Sequence, residues 1–161
     1  YEYDQDYTVY AGQSYTTSKV HYTTFLPRQT GVRMGCGIRR SPGEEQFVQG
    51  DGWLLTKGSE NIKDPESIDD RDDWIVPFVG KALIVPQRYK PEYQFIEERR
   101  GNHAFRLTPD ADHSYEFMLL AAWSEGAVFN TPESFRAYVE KTALEYNNPV
   151  QVRFALEEQK P

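Results

Sequence analysis

Three histidines are the side chains in this sequence best suited to moving protons near neutral pH. His21, His103 and His113 share no metal-ligand spacing such as HxH or HExxH, so a zinc site would have to be assembled by the fold. An imidazole titrates close to neutral pH, and any of the three could serve as a general base. A structural role is the alternative for each of them.

A tryptophan and a glutamate lie close together at the end of the most apolar segment. Trp123 is followed by Ser124 and Glu125. The ring of a tryptophan can pack on the apolar side of a pyranose, and a carboxylate can accept hydrogen bonds from sugar hydroxyls. The pair therefore suggests a sugar-binding site. The alternative is a core tryptophan followed by an ordinary loop acid.

Arginines are the candidate partners for an acidic sugar. Arg33, Arg39 and Arg88 could each bind the carboxylate of a uronate in bidentate fashion. Surface salt bridges are the alternative for each of these three side chains. The choice between the two roles depends on which side chains the fold brings together.

No cofactor is predicted, and calcium is the one metal that the sequence leaves open. Residues 69–73 (DDRDD) supply oxygen ligands of the kind that Ca²⁺ prefers, but they lack the spacing and the glycine of an EF-hand loop. A solvated acidic loop is the alternative. Asp110, Asp112 and His113 follow Pro109, and a turn stabilised by local hydrogen bonds accounts for them.

Several familiar catalytic patterns are absent. The single cysteine, Cys36, has no CxxC or Cys/His partner, which argues against a thiol-based metal or redox site. Its Gly35-Cys36-Gly37 setting indicates a small residue in a tightly packed strand. The sequence contains no G-x-S-x-G, P-loop or G-x-G-x-x-G motif, so serine-hydrolase and nucleotide-binding functions are disfavoured.

Composition narrows the class of protein. The formal charge of −7 repels phosphate backbones, so nucleic acid is not an expected partner. No stretch approaches the roughly 18 apolar residues that a membrane-spanning helix needs, and we predict no membrane span. The length of 161 residues suits one domain, and an aromatic content of 14% favours β structure.

The elements that must position these side chains are mostly strands. Tyr1, Tyr3, Tyr7 and Val9 occupy odd positions between polar even ones, which is the period of a strand with one wet face. Gly50-Asp51-Gly52 predicts a hairpin turn, and residues 58–73 predict a solvated loop. Further strands are predicted at 14–25, 32–38, 47–48, 53–56, 81–85, 93–96, 103–107, 114–123 and 150–156.

One amphipathic helix is predicted at residues 132–146. Thr131 can cap its N-terminus, Pro132 suits the first helical position, and Glu133 complements the helix dipole. Asn147-Asn148-Pro149 ends it, since asparagine tolerates a left-handed C-terminal cap. The predicted fold is an antiparallel β-sandwich with this C-terminal helix, in a single domain over residues 1–161.

Five segments resemble a known family. The sequence is similar to the C-terminal half of a secreted bacterial family of unknown function, found in polysaccharide-degrading bacteria beside or fused to unsaturated glucuronyl hydrolases. The segments that carry the resemblance are residues 7–13 (YTVYAGQ), 19–22 (KVHY), 121–125 (AAWSE), 129–135 (FNTPESF) and 146–150 (YNNPV).

The resemblance implies a fold, a location and a class of partner. It implies a galactose-mutarotase-like supersandwich, present here in part, in a periplasmic or secreted protein that meets carbohydrate. Members of the family are longer, and the chain begins at Tyr1 without a methionine. We therefore expect a longer precursor, or a preceding N-terminal segment or chain that completes the fold.

Two functional hypotheses follow from the resemblance. The first is an enzyme of the lyase or glycoside hydrolase type that breaks down uronic-acid-containing polysaccharides. In it, His21 or His103 is the base and Glu125 the acid, while the substrate is bound by Tyr22, Arg33, Arg88 and Trp123. The second is a non-catalytic sugar-binding or structural β-sandwich module, which the absence of a recognised catalytic motif favours.

Overall fold

Two antiparallel sheets and one α-helix are the main elements of the described part of the chain. The computed structural model describes residues 1–24, 33–41, 43–61, 75–98 and 101–152. A short 3₁₀ helix at Gln87–Tyr89 follows the sixth strand. The main elements are β1 (Glu2–Val9), β2 (Tyr15–Thr24), β3 (Met34–Arg39), β4 (Gly43–Gly50), β5 (Trp53–Asn61), β6 (Ile75–Ile84), β7 (Glu92–Ile96), β8 (Asn102–Leu107), β9 (Ser114–Trp123) and α1 (Pro132–Asn147).

The strands divide into a large sheet and a small sheet. The large sheet has the order β1-β2-β9-β6-β5-β4, and the small sheet has the order β3-β8-β7. Every pair of neighbouring strands is antiparallel. The prediction of a mostly β, antiparallel sandwich with a C-terminal helix is confirmed for the residues that the structure describes.

Alternation along the strands gives the large sheet two apolar faces. Its inner face packs on the small sheet, with Leu54 and Leu83 against Phe105 in one buried cluster. Its outer face packs on α1, with Leu55 against Phe135 in a second cluster. Because side chains alternate between the faces of a strand, these two clusters show which face of the large sheet the neighbouring strand residues occupy.

The helix begins and ends near the predicted residues. The Thr131 side chain accepts a hydrogen bond from the Ser134 backbone, and the Ser134 hydroxyl bonds back to complete a capping box. The predicted left-handed cap is wrong, because Asn148 has a φ of −127°. The amide side chains of Asn147 and Asn148 instead donate to the carbonyls of Ala143 and Leu144, at 2.9 and 2.8 Å.

Several strands depart from their predicted bounds. The loop predicted from residue 58 begins later, because β5 continues to Asn61 across an irregularity between Gly58 and Glu60. Strand β6 begins at Ile75, earlier than predicted, although it contains Pro77. The pairing of β6 with β9 starts only at Val79, so Pro77 lies outside that ladder. Residues 150–152 are not in a strand, and the rest of the predicted strand 150–156 lies outside the described residues.

Other local predictions hold. Asp51 and Gly52 form the turn of the β4–β5 hairpin, with Gly52 at a φ of +74°. Strands β1 and β2 form the first hairpin, and Gly12 in its turn has a φ of +77°. No helix within the described residues has the length and apolar character needed to cross a membrane.

Candidate functional site

Two rows of side chains cross the inner face of the large sheet at one end. Strand pairing places members of each row side by side on β4, β5, β6 and β9. The first row is Phe47, Thr56, Lys81 and Ala121, and the second is Glu44, Gly58, Val79 and Trp123. We call these eight residues the inner-face rows. They bring polar and charged side chains onto the same face as the apolar core of the sandwich.

His103 lies against one end of the inner-face rows. It belongs to β8 and faces the large sheet, as Phe105 does two residues later, and it is only 4% exposed. Its Nε2 is 3.0 Å from Glu44 Oε2, and its Nδ1 is 3.0 Å from the hydroxyl of Tyr93 on β7. The imidazole also stacks on Phe47, with the ring centroids 3.9 Å apart. Both ring nitrogens and one ring face are thus engaged.

The partners of His103 determine its tautomer. An ionised carboxylate only accepts hydrogen bonds, so the hydrogen of the neutral imidazole lies on Nε2 and is donated to Glu44. Nδ1 is then free to accept the Tyr93 O–H. The hydroxyl of Thr56 donates to the same Glu44 carboxylate. The result is a chain in the order hydroxyl, imidazole and carboxylate.

Tyr93 is the member of this chain that reaches the surface. It is 37% exposed, whereas His103 is buried behind it. Burial and, after it, the negative charge of Glu44 raise the pKa of Tyr93, so the phenol is protonated at neutral pH. The neighbouring ring of Phe95, whose centroid is 5.2 Å from that of His103, is also exposed.

A cation borders the same group. Arg40 Nε lies 3.4 Å from Glu44 Oε1, and about half of the Arg40 side chain is exposed. Its backbone N–H donates to Gly101 O at 3.2 Å, which holds it beside β8. We call the set of Glu44, Thr56, Tyr93, His103 and Arg40 the His103 cluster.

The cluster has the connectivity needed for proton relay. When a hydroxyl loses its proton to a neighbouring imidazole, a carboxylate on the far side of the ring stabilises the imidazolium that forms. Tyr93, His103 and Glu44 are arranged in this order, and Arg40 places a positive charge beside Glu44. The arrangement can therefore activate the Tyr93 hydroxyl and attract an anionic group.

A second charged pair lies further along the inner-face rows. Lys81 Nζ is 3.1 Å from Glu60 Oε1, and both side chains are partly exposed. A hydrogen bond from the Ser41 hydroxyl and the neighbouring Lys81 amine lower the pKa of Glu60 against the effect of burial. Lys81 lies between Thr56 and Ala121 in the first row.

Of the residues predicted from sequence, His103 and Trp123 share this face. Trp123 is the last member of the second row and is 45% exposed, so the alternative of a fully buried core tryptophan is wrong. Glu125 is exposed in the turn that follows, where Gly126 N–H donates to Trp123 O at 2.9 Å. Tyr22 lies on the inner face nearer to β1, with its ring 5.6 Å from that of Tyr3.

His21 does not join His103. Its neighbour Val20 belongs to the inner core, so alternation places His21 on the outer face of the large sheet, where it pairs with Ser114. The two histidines proposed as alternative bases therefore lie on opposite faces. Only His103 has a carboxylate and a hydroxyl on its two ring nitrogens among the contacts that the structure describes.

The predicted arginines are not the ones beside His103. Arg88 donates to Glu116 at 2.9 Å and to the Tyr89 hydroxyl at 2.6 Å, so it has the structural role given as its alternative. Arg33 lies exposed at the start of β3, and Arg39 occupies the face of β3 opposite to the buried Ile38. The cation beside His103 is Arg40.

Sequence reasoning missed most of the His103 cluster. Glu44, Thr56, Tyr93 and Arg40 were not among the candidates, and none of them forms a local motif. The only sequence signal was the alternation of Tyr93 and Phe95 in a short strand, which places two aromatic rings on one face. Their partner His103 became evident only with the pairing of β7 and β8.

Metal and thiol chemistry have little support in the described residues. Within them, no group of three or more His, Cys, Asp or Glu side chains could hold a metal ion. The predicted calcium ligands, residues 69–73, lie outside the described residues. Burial raises the pKa of the Cys36 thiol to about 12, so it is not ionised at neutral pH. This agrees with a packing role for Cys36.

Comparisons with known proteins identify a family. Neither the curated proteins nor the solved structures include a match to this chain. A protein-family model does match, and it covers residues 1–152, which includes every element described above. The chain therefore belongs to the family described as "Domain of unknown function (DUF4861)".

Proposed function

We propose that this domain takes part in the breakdown of uronic-acid-containing polysaccharides, and that it cleaves them by elimination at the His103 cluster. The observation that carries the proposal is the chain from the hydroxyl of the partly exposed Tyr93 through His103 to Glu44. A glycosidic bond next to a uronate can be broken by proton transfer alone, because the carboxylate acidifies the neighbouring carbon. A relay of this kind beside a cation suits that reaction.

The proposed reaction is balanced in protons and electrons. The Tyr93 oxygen takes the proton from the carbon next to the uronate carboxylate while its own proton moves to His103 Nδ1. The electron pair left on carbon forms a C=C bond, and the bond from the adjacent carbon to the leaving sugar oxygen breaks. His103 returns its proton through Tyr93 to that oxygen, and Glu44 stabilises the intermediate imidazolium.

The cations give the substrate its orientation. Arg40 adjoins Glu44, and about half of its side chain is exposed, so its guanidinium is available to bind a substrate carboxylate. A bound cation also stabilises the negative charge that develops on that carboxylate as the proton leaves. Lys81, in the next part of the inner-face rows, offers a second positive charge for a further uronate.

Trp123 extends the proposed site along the sheet. It shares a row with Glu44 across three strand spacings, which is a distance of about 14 Å between their backbones. This is the scale of a short oligosaccharide rather than of one sugar. Trp123 can stack on a sugar ring, and Glu125 beside it can accept hydrogen bonds from hydroxyls.

The family resemblance supports the context of this proposal. It is the basis for proposing a periplasmic or secreted protein with a partial galactose-mutarotase-like supersandwich, working beside unsaturated glucuronyl hydrolases. Elimination from a uronate yields an unsaturated uronate, which is the kind of product that such hydrolases consume. A preceding segment or chain that completes the fold is part of the same proposal.

The type of product tests the reaction. We expect uronate-containing oligosaccharides incubated with the protein to yield a product whose new C=C bond, conjugated to the carboxylate, absorbs in the ultraviolet. New reducing ends without this absorption would mean hydrolysis and would contradict the elimination mechanism. Saturable binding without any product would contradict catalysis and favour a sugar-binding module.

The sugar-binding module is the second candidate function, and the exposure of Trp123 favours it. We expect Trp123→Ala to weaken binding of an acidic oligosaccharide by about 10- to 100-fold, as for an aromatic anchor at an interface. Because Trp123 is 45% exposed, its loss is expected to change stability far less than loss of a buried aromatic side chain. Isothermal titration calorimetry and thermal melting measure the two effects.

Trp53→Phe is the matched control for this prediction. Trp53 lies on the outer face of the large sheet, where it packs against the cluster under α1. The Trp53→Phe variant should leave oligosaccharide binding unchanged. If Trp123→Ala bound as tightly as the wild type, or if Trp53→Phe weakened binding equally, the proposed role of the inner-face rows would be wrong.

A further inference from the structure

A separate cleft opens beside Tyr93. It has a volume of about 330 Å³. It lies between the β4–β5 hairpin and the segment that joins β6 to β7. Residues that line it include Gln49, Asp51, Gly52, Gln87, Pro91 and Tyr93. We call it the Gln87 cleft.

The lining has the chemistry of a site for a neutral sugar. The amides of Gln49 and Gln87 both donate and accept hydrogen bonds, Asp51 accepts them, and all three residues are exposed. Tyr93 and Pro91 add apolar surface on which a sugar ring can pack. No lysine or arginine is among the described residues that line the cleft, and Asp51 would repel a uronate carboxylate.

Backbone hydrogen bonds hold the walls of the cleft in place. Gly52 O accepts from Val85 N–H at 2.7 Å, which ties the hairpin turn to the end of β6. The N–H of Gln87 donates to Asn147 Oδ1 at 2.7 Å, at the end of α1. A Cβ at Gly52 would lie 2.7 Å from Gln87 Nε2, so the turn and this amide are already in close contact. Preformed walls reduce the entropy that binding would cost.

Tyr93 links the cleft to the His103 cluster. Tyr93 lines the cleft, and its hydroxyl bonds to His103. From this shared residue we infer that the Gln87 cleft binds a neutral sugar next to the uronate that reacts. This inference rests on the proposed function for the reaction, and it adds that the substrate joins neutral sugars to uronates.

Direct binding tests the cleft without any need for turnover. In ¹⁵N-labelled protein, we expect neutral methyl glycosides of a hexose, a pentose and a 6-deoxyhexose to shift the side-chain amide signals of Gln49 and Gln87 in a saturable way. Methyl glucuronide is the anionic probe, and it should bind at least about tenfold more weakly because the cleft would bury its charge unpaired. Absence of saturable shifts with the neutral probes, or equal binding of the glucuronide, would overturn the inference.

Two glutamine variants sharpen the test. Gln87→Ala should weaken binding of the best neutral glycoside by about tenfold, the effect of one lost hydrogen bond. Gln94→Ala is the control, because Gln94 is an exposed glutamine next to Tyr93 that does not line this cleft. Equal effects of the two variants would overturn the inference.

Failure of the cleft and failure of the proposed reaction give different results. If neutral glycosides bind at Gln49 and Gln87 but no acidic oligosaccharide is cleaved, the cleft stands and the proposed reaction falls. If acidic oligosaccharides are cleaved but neutral glycosides give no shifts at these amides, the reaction stands and the neutral-sugar cleft falls.

Discussion

Replacing Tyr93 by Phe is expected to lower the cleavage rate of a uronate oligosaccharide by about 10²- to 10⁴-fold, the usual contribution of a positioned acid or base. The substitution removes only the hydroxyl that bonds to His103 Nδ1, at 3.0 Å in the wild type. The aromatic ring stays in place. Initial rates followed by the ultraviolet absorption of the unsaturated product measure the effect.

Folding and binding must stay intact for this result to identify a catalytic group. We expect Tyr93→Phe to bind neutral glycosides with unchanged affinity and to melt close to the wild-type temperature. Tyr7→Phe is the matched control, because Tyr7 is an exposed tyrosine on β1, at the opposite edge of the large sheet from β4. A Tyr93→Phe protein that turns over as fast as the wild type would exclude the proposed relay.

Replacing Phe135 by Ala is expected to lower the free energy of unfolding by about 3 to 5 kcal/mol, as for other buried aromatic side chains. Phe135 belongs to α1, is 1% exposed and packs on the outer face of the large sheet. A Cβ at Gly80 would lie 2.5 Å from Phe135 Cδ1, which shows how closely the ring approaches the sheet. Truncation would therefore leave a cavity between helix and sheet. Equilibrium denaturation in urea measures the loss.

Leu144→Ala is the control on the same helix. Leu144 is 66% exposed, so its replacement should change the free energy of unfolding by no more than about 0.5 kcal/mol. A small effect of Phe135→Ala would mean that α1 does not cover the large sheet as described.

Local sequence signals were enough for several elements of the fold. Thr131 and Pro132 predicted the start of α1, because capping and the fixed φ of proline act within one turn of helix. Asp51 and Gly52 predicted the β4–β5 hairpin, because the turn needs a residue with positive φ. The alternation of Tyr3 and Tyr7 with acidic residues predicted β1, because successive side chains of a strand point to opposite faces.

The candidate site depended on contacts between distant residues. His103 and Glu44 are 59 residues apart and belong to different sheets. No short spacing could connect them, and the identity of the partner depends on how the sheets pack. The same packing replaced the predicted arginines with Arg40 as the cation beside the imidazole.

By itself, the sequence determined the class of fold, the position of the helix, the main hairpins and a short set of chemically capable residues. Only the tertiary structure decided that His103 and not His21 has a carboxylate and a hydroxyl as partners, and that Trp123 is exposed. The physical reason is that propensity and alternation act between near neighbours, whereas the face of a strand depends on its pairing register. A shift of one residue in that register would exchange the two faces.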